Sequence, residues 1–126
     1  MRRKITVVGN SAVLSGLTQH AEIVSWPSAD AGGADVVVVA QGDRLSEVAR
    51  FVARRCPAAV VVATDAAWCA ELLERTYFPR GRVLATQDVP AVADAVLGES
   101  GAELDVVLCP EGPVRARVGA GGAFAI

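Results

Sequence analysis

Short apolar runs rich in valine and isoleucine recur along the sequence, and they limit its fold more than any other feature. Several are apolar throughout, which is typical of parallel strands covered on both faces. Helical segments separate them, so the pattern predicts right-handed strand–helix–strand units in a parallel sheet. The predicted strands are ITVVG (5–9), EIVSW (22–26), ADVVVVA (34–40), AAVVVAT (58–64) and RVLAT (82–86).

The segment between the third and fourth runs predicts an amphipathic helix. Its apolar residues recur at helical spacing and form one stripe, while its arginines are left to solvent. The Cys56–Pro57 pair ends the helix, because the residue before a proline avoids helical dihedral angles. The stripe consists of Leu45, Val48, Ala49 and Val52, and the solvent-facing arginines are Arg50, Arg54 and Arg55.

Two further helices are predicted from their capping residues. Asp65 is expected to cap one helix, and Asp88 a second, with Pro90 in its first turn and Gly98 just past its end. The inward side of the first of these helices is predicted to carry Trp68, Cys69, Leu72 and Leu73.

The last part of the chain changes pattern. Residues 103–126 alternate between apolar and polar positions, with turn signals at 110–113 and 119–122, as antiparallel strands do. We therefore predict one domain over 1–126, with a strand–helix–strand core in 1–98 and an antiparallel β tail in 99–126. The fold class is a Rossmann-like three-layer α/β sandwich, whose mainly parallel five-stranded sheet is closed by a C-terminal antiparallel hairpin.

Composition narrows the classes of function. With 126 residues, of which 52% are hydrophobic and 21% charged, the chain can bury one sizeable core. Its net charge of -2 predicts no basic face for nucleic acid. The first apolar run is interrupted by Gly9, Asn10 and Ser11, so we expect neither a signal peptide nor a membrane partner, and a cytoplasmic location.

Metal and thiol chemistry find little support in the sequence. Cys56, Cys69 and Cys109 lie far apart without a CxxC spacing, and His20 is the single histidine, so no metal site is predicted. We expect the three cysteines to be buried thiols in a reducing compartment. The carboxylates interpreted as solvated are Glu71, Glu74, Asp94, Glu99, Glu103 and Asp105.

The stretch KITVVGNSAVLSG (4–16) predicts a strand, a turn and a helix, as in a dinucleotide-binding unit. Gly9 supplies the first expected glycine, whereas Ser11 and Leu14 occupy the other two positions. The amides of Asn10, Ser11 and Ala12 are predicted to point at an anion from the helix N-terminus.

The end of the second predicted strand leaves two interpretations open. An acidic residue there would hold the ribose hydroxyls, but the sequence has Trp26 followed by proline. Either the turn is simply packed and Trp26 belongs to the core, or nucleotide binding is retained and Trp26 fills the adenosine pocket.

Several pieces of the sequence resemble the lactate and malate dehydrogenase family, in the family's order. They are KITVVGNSAV (4–13), GADVVVVAQG (33–42), CPAAVVVATDAAW (56–68) and FPRGRVLATQDV (78–89), and the likeness covers roughly residues 4–89. The resemblance implies NAD as the cofactor. The cofactor-binding residues it implies are Gly9, Asn10, Ser11, Ala12, Ala40 and Thr64.

The same resemblance implies that the family's proton transfer is lost. In the family, a histidine oriented by an aspartate exchanges a proton with the substrate hydroxyl while the nicotinamide moves a hydride. His20 lies on the wrong side of the cofactor site for this role. The run LGESGA (97–102) resembles the family's Gly-Glu-His-Gly-Asp, but Ser100 replaces the histidine and Ala102 the aspartate. Serine cannot act as the base near neutral pH, so no catalytic residue is predicted.

Substrate contacts are also reduced. Arg44, in GDRL (42–45), is the one carboxylate-binding residue that the resemblance preserves, and Thr64 or Asp65 takes the place of the family's asparagine. A family member is roughly twice as long. We therefore predict a reduced lactate/malate dehydrogenase-like protein without dehydrogenase activity, with weak or lost NAD binding.

Other classes of function stay open. One is a functional NAD(P)-binding, oxidoreductase-like protein. Another is a degenerate receiver-like signalling domain: Thr64 at a strand end fits it, whereas the absence of an acceptor aspartate at Ala40 does not. A regulatory or assembly role is the third, with Phe124 and Ile126 in a symmetric interface of a homodimer or other homo-oligomer.

Overall fold

The computed structural model describes residues 3–75, 78, 81–108 and 111–126. Its helices are α1 (Leu45–Arg55), α2 (Ala66–Arg75) and α3 (Val89–Leu97), together with short 3₁₀ helices at Ser11–Leu14 and Ala29–Ala31. Its strands are β1 (Arg3–Val8), β2 (Ala21–Trp26), β3 (Val36–Val39), β4 (Val60–Ala63), β5 (Val83–Ala85), β6 (Ala102–Leu108), β7 (Gly112–Gly119) and β8 (Gly122–Ala125).

The strands form one sheet in the order β2-β1-β3-β4-β5-β6-β7-β8. The first five are parallel, and β5–β6, β6–β7 and β7–β8 are antiparallel pairs. The predicted parallel sheet and antiparallel tail are confirmed, and the tail consists of three strands, as its two turn signals predict. The parallel part has the doubly wound order 2-1-3-4-5, whose direction of winding reverses between β1 and β3.

Helices cover both faces of the central strands, which explains why these strands are apolar throughout. Every residue of β3 and β4 is buried. Val36, Val38, Val60 and Val62 pack with α3 on one face, and Val37, Val39, Val61 and Ala63 pack with α1 and α2 on the other. The predicted three-layer α/β sandwich is therefore confirmed, and so is the apolar stripe of α1, formed by Leu45, Val48, Ala49 and Val52.

The predicted helix caps are present. Asp65 Oδ1 accepts a hydrogen bond from the Ala67 amide at 2.9 Å, and Asp88 Oδ1 accepts one from the Ala91 amide at 3.2 Å. Cys56 and Cys69 are buried as expected, whereas Cys109 lies outside the described residues. No helix in the described ranges is long and apolar enough to cross a membrane.

The α-helix predicted after Gly9 is wrong. Only a four-residue 3₁₀ helix, Ser11–Leu14, forms in the crossover between β1 and β2. Asn10 caps it by accepting from the Ala12 amide, and Gly16 then adopts a φ of 94°, which a right-handed helix does not allow. His20 consequently lies in an exposed loop just before β2.

The interpretation of Asp94 as a solvated carboxylate is also wrong. Asp94 Oδ2 accepts a 2.7 Å hydrogen bond from the Thr18 hydroxyl, and Oδ1 accepts one of 2.8 Å from the Gln19 amide. Desolvation alone would raise the pKa of Asp94, but these bonds and that from the Thr18 amide outweigh it, so the pKa lies below its usual value. Asp94 therefore ties α3 to the first crossover.

We predict that Asp94→Ala lowers the free energy of unfolding by about 1 kcal/mol at neutral pH, since it removes hydrogen bonds to a charged group. Because folding depresses the pKa, this contribution is complete above the unfolded-state value of about 3.9 and disappears as the pH falls through the folded-state pKa. Urea denaturation across this range measures the difference from wild type.

The matched control for this experiment is Glu99→Ala, which removes an exposed carboxylate next to the same helix. We expect it to change stability little at any pH. A loss in Asp94→Ala that stayed constant into acid would contradict a role for the ionised carboxylate.

Candidate functional site

The carboxyl ends of the parallel strands meet at one edge of the sheet. After β3 and β4, the first residue donates its amide to the last carbonyl of the neighbouring strand: Ala40 to Val8 at 2.8 Å, and Thr64 to Val39 at 3.0 Å. Thr86 continues the series by donating to Ala63 at 3.1 Å. Open α/β sheets bind ligands at this edge, so the structure brings Ala40 and Thr64 to the expected place.

Gly9 shapes the turn at the end of β1. Its φ of 108° lies in a region that favours glycine. A Cβ added there would lie 3.3 Å from both the carbonyl carbon and the Cβ of Ala40. Glycine is thus required for the backbone conformation and for close contact between the turn and the end of β3.

The turn presents fewer amides than its sequence predicts. The Ala12 amide donates to Asn10 Oδ1 at 2.9 Å, so it is already paired. The 3₁₀ helix that begins at Ser11 has four residues, too few for the aligned peptide dipoles of a longer α-helix. The predicted anion site at a helix N-terminus therefore lacks its helix.

Arg44, the predicted substrate-binding residue, is engaged by protein groups. Its Nη2 lies 2.5 Å from Glu47 Oε2, and its guanidinium carbon lies 4.6 Å from the centre of the Trp26 ring. The hydrogen bond between the two side chains lowers the pKa of Glu47 and raises that of Arg44. Arg44 therefore packs on the half-buried Trp26 at the end of β2.

The single histidine of the sequence is not brought to the carboxyl edge of the parallel strands. His20 directly precedes β2 and so lies at the amino edge. A strand of six residues spans about 20 Å, which separates this imidazole from the carboxyl edge. Ser100 lies between α3 and β6, where its carbonyl accepts from Arg117 at 3.1 Å.

A cleft of about 540 Å³ opens where β5 and β6 diverge. Their pairing stops at Ala85–Val107, because β5 turns towards α3 while β6 continues. Of the predicted site residues, only Thr64 lines this cleft. The lining residues are Thr64, Ala66, Ala85, Thr86, Gln87, Asp88, Asp105, Val106, Val107, Pro113, Val114 and Arg115.

The polar groups of the cleft are partly paired with one another. Thr86 Oγ1 accepts from the Asp88 amide at 3.0 Å, while the Asp88 carboxylate caps α3. Arg115 forms a 3.3 Å salt bridge with Asp105 across the β6–β7 pair. The sequence analysis missed this wall of the cleft, since no local signal indicates that β6 joins the sheet beside β5. In the described part of the chain, no group of histidines, cysteines and carboxylates is placed to hold a metal ion.

Comparisons with known proteins agree with this architecture. No family model and no curated protein matches the sequence. Among solved structures, lactate dehydrogenase from Cryptosporidium parvum, complexed with lactic acid and nicotinamide adenine dinucleotide, is similar at a TM-score of 0.55 and 17% identity, over 68% of this chain and 45% of that one. Malate dehydrogenase from Plasmodium falciparum is similar at a TM-score of 0.53 and 13% identity, over 72% and 47%.

Malate dehydrogenase from Cryptosporidium parvum is also similar in structure. Its TM-score is 0.52 and its sequence identity 19%, over 68% of this chain and 45% of that one. At these identities the likeness is one of fold. The chain is a Rossmann-like α/β protein whose fold is similar to part of the lactate and malate dehydrogenases, and its match spans less than half of their length.

We predict that Gly9→Ala destabilises the protein by about 2 kcal/mol, because alanine is strained at this φ and its Cβ crowds Ala40. Urea denaturation measures the change. Gly121→Ala is the matched control, since a Cβ at Gly121 would meet nothing within 4 Å. Equal stability of the two variants would contradict the structural role of Gly9.

Proposed function

We propose that this protein is a reduced relative of lactate and malate dehydrogenases that does not oxidise hydroxy acids. The observation that carries the proposal is the position of the single histidine, His20, at the amino edge of the sheet, opposite the edge where ligands bind. Without an imidazole at the carboxyl edge, the family's usual acceptor for the proton of a substrate hydroxyl is missing there.

The residues that line the described cleft do not replace that base. Threonine hydroxyls such as those of Thr64 and Thr86 titrate far above neutral pH and are poor proton acceptors. The Asp88 carboxylate is held as the cap of α3, and Asp105 is paired with Arg115. These contacts support a cleft that binds a small molecule without transferring its proton.

NAD would supply the hydride acceptor in such a fold, and the Gly9 turn fits it poorly. Gly9, Asn10 and Ser11 would hold its phosphates, flanked by Ala40 and Thr64 at the neighbouring strand ends. The Ala12 amide, however, is paired with Asn10. Trp26 ends β2 beneath Arg44, where a ribose-binding carboxylate would be needed. We therefore propose weak NAD binding at best.

Two other functions remain as candidates. A functional NAD(P)-binding, oxidoreductase-like protein would require the Gly9 turn to bind more tightly than its contacts suggest. A degenerate receiver-like domain is favoured by one observation, the strand order 2-1-3-4-5, which receivers share. Against it, β3 is followed by Ala40 instead of an acceptor aspartate.

We also propose a regulatory or assembly role as a homo-oligomer, with the tail in the interface. Phe124 is 56% exposed on the terminal strand β8, and Ile126 is 74% exposed just beyond it. The uninterrupted sheet supports a single domain over 1–126. The buried thiols of Cys56 and Cys69 are compatible with the proposed cytoplasmic location.

We predict no turnover of lactate or malate with NAD or NADP, measured by NADH or NADPH absorbance beside an authentic lactate dehydrogenase as control. Calorimetric titration with NAD, NADH and ADP-ribose should give affinities weaker than micromolar. Ser11→Gly should tighten them, because it removes the Cβ that crowds the phosphate approach.

Two results would overturn this proposal. One is turnover at ordinary enzyme levels that Ser100→Ala or Arg44→Ala abolishes. The other is micromolar NAD binding that Ser11→Gly leaves unchanged, since that would show that the missing glycines do not weaken the site.

A further inference from the structure

A second concave surface of about 450 Å³ lies along the outer side of α1, next to the end of β2. We call it the arginine groove, and it is lined by Trp26, Glu47, Arg50, Phe51, Arg54 and Arg55. Its size falls within the range of pockets that bind small molecules. It shares no lining residue with the cleft between β5 and β6.

Helical spacing places most of the groove on one face of α1. Glu47, Arg50, Phe51 and Arg54 follow each other at i, i+3, i+4 and i+7, which brings their side chains into one row. Trp26 completes the groove from β2, a strand far from α1 in sequence. The sequence analysis assigned these arginines to solvent because it could not place Trp26 beside them.

The groove carries an excess of positive charge, although the whole chain has a net charge of -2. Its one carboxylate, Glu47, is already paired with Arg44. Arg50 and Arg54 are exposed and form no salt bridge within the described ranges. This surface is therefore locally basic, although the whole chain is not.

Arg55 is the last residue of α1, and contacts with the backbone before β3 hold its side chain. Its Nη2 donates to the Ala29 carbonyl at 3.4 Å, and its side chain packs so closely on Gly32 that a Cβ there would lie 2.9 Å from Arg55 Nε. Cations near a helix C-terminus are favourable, which accounts for Arg54 and Arg55. This preference does not explain the position of Arg50 in the middle of α1, or that of the aromatic rings beside the arginines.

Two half-buried aromatic rings form the other part of the lining. The centres of the Trp26 and Phe51 rings lie 6.0 Å apart with their planes at 50°. Arg44 packs over the Trp26 ring, so one face of that ring is already covered. Aromatic platforms of this kind stack nucleobases without strong sequence preference.

We infer that the arginine groove binds an anion attached to a flat aromatic ring, and that a nucleoside monophosphate is the class of ligand it fits. Arg50 and Arg54 would contact the phosphate through the paired N–H groups that guanidinium offers to phosphate oxygens. The base would lie against Phe51, beside the Trp26 ring that Arg44 covers. Because α1 runs from the carboxyl to the amino edge, the phosphate would lie away from the Gly9 turn, so this inference does not depend on NAD binding there.

The test is a nuclear magnetic resonance titration of the labelled protein with AMP, adenosine and inorganic phosphate. We expect AMP to shift the amide signals of Phe51 and Arg54 and to bind about tenfold more tightly than either fragment, since only AMP engages both parts of the groove. Its affinity should fall with added salt, because the arginines are exposed.

The variant Arg50→Gln/Arg54→Gln should weaken AMP binding about tenfold. Its matched control is Arg3→Gln/Arg117→Gln, which removes the same charge from exposed arginines elsewhere and should leave AMP binding unchanged. Both pairs are surface substitutions, so the proteins are expected to fold.

Several results would overturn the inference. Adenosine binding as tightly as AMP would show that the arginines are unused, and phosphate binding as tightly would leave an adventitious ion only. Absence of AMP binding would remove the site. AMP binding that changes in Ser11→Gly and not in Arg50→Gln/Arg54→Gln would assign the nucleotide to the Gly9 turn instead.

Discussion

The burial of β3 and β4 on both faces is the constraint on which the rest of the structure depends. All residues of these strands are buried, and burying each valine contributes about 1.5–3 kcal/mol relative to leaving it exposed. That burial requires a helical layer on each side, which α1 and α2 provide on one face and α3 on the other. The connections through these layers bring Ala40, Thr64 and Thr86 to one edge, so the candidate site follows from the core.

Local signals were sufficient for most of the fold. The continuous valine runs predicted the parallel strands, and Asp65 and Asp88 predicted the starts of two helices, because a cap acts on amides two or three positions away. The α-helix predicted in the first crossover was wrong, because contacts with residues distant in sequence determine the structure there. Gly16 has a φ of 94° where the predicted helix would continue, and Asp94, which holds the loop at Thr18, is 76 residues away in sequence.

The candidate site could also be predicted only in part from the sequence. Gly9, Ala40 and Thr64 could be placed because the carboxyl ends of parallel strands share an edge, whatever the strands' order. The cleft could not be predicted, since Arg115 and Val107 reach it through antiparallel pairing that no short motif specifies. The arginine groove was missed because Trp26, which completes its lining, comes from β2. The charge pattern of α1 alone does not show that this ring lies beside the arginines.

The divergence of β5 and β6 has a thermodynamic consequence for the cleft. Beyond Ala85–Val107 no ladder of hydrogen bonds joins β5 to β6, and the apolar packing of α3 against Val106, Ala116 and Val118 holds the antiparallel strands in place. The stabilisation that such apolar contacts provide weakens on cooling. The position of these strands beside the cleft therefore depends on a stabilisation that varies with temperature, and cooling weakens it.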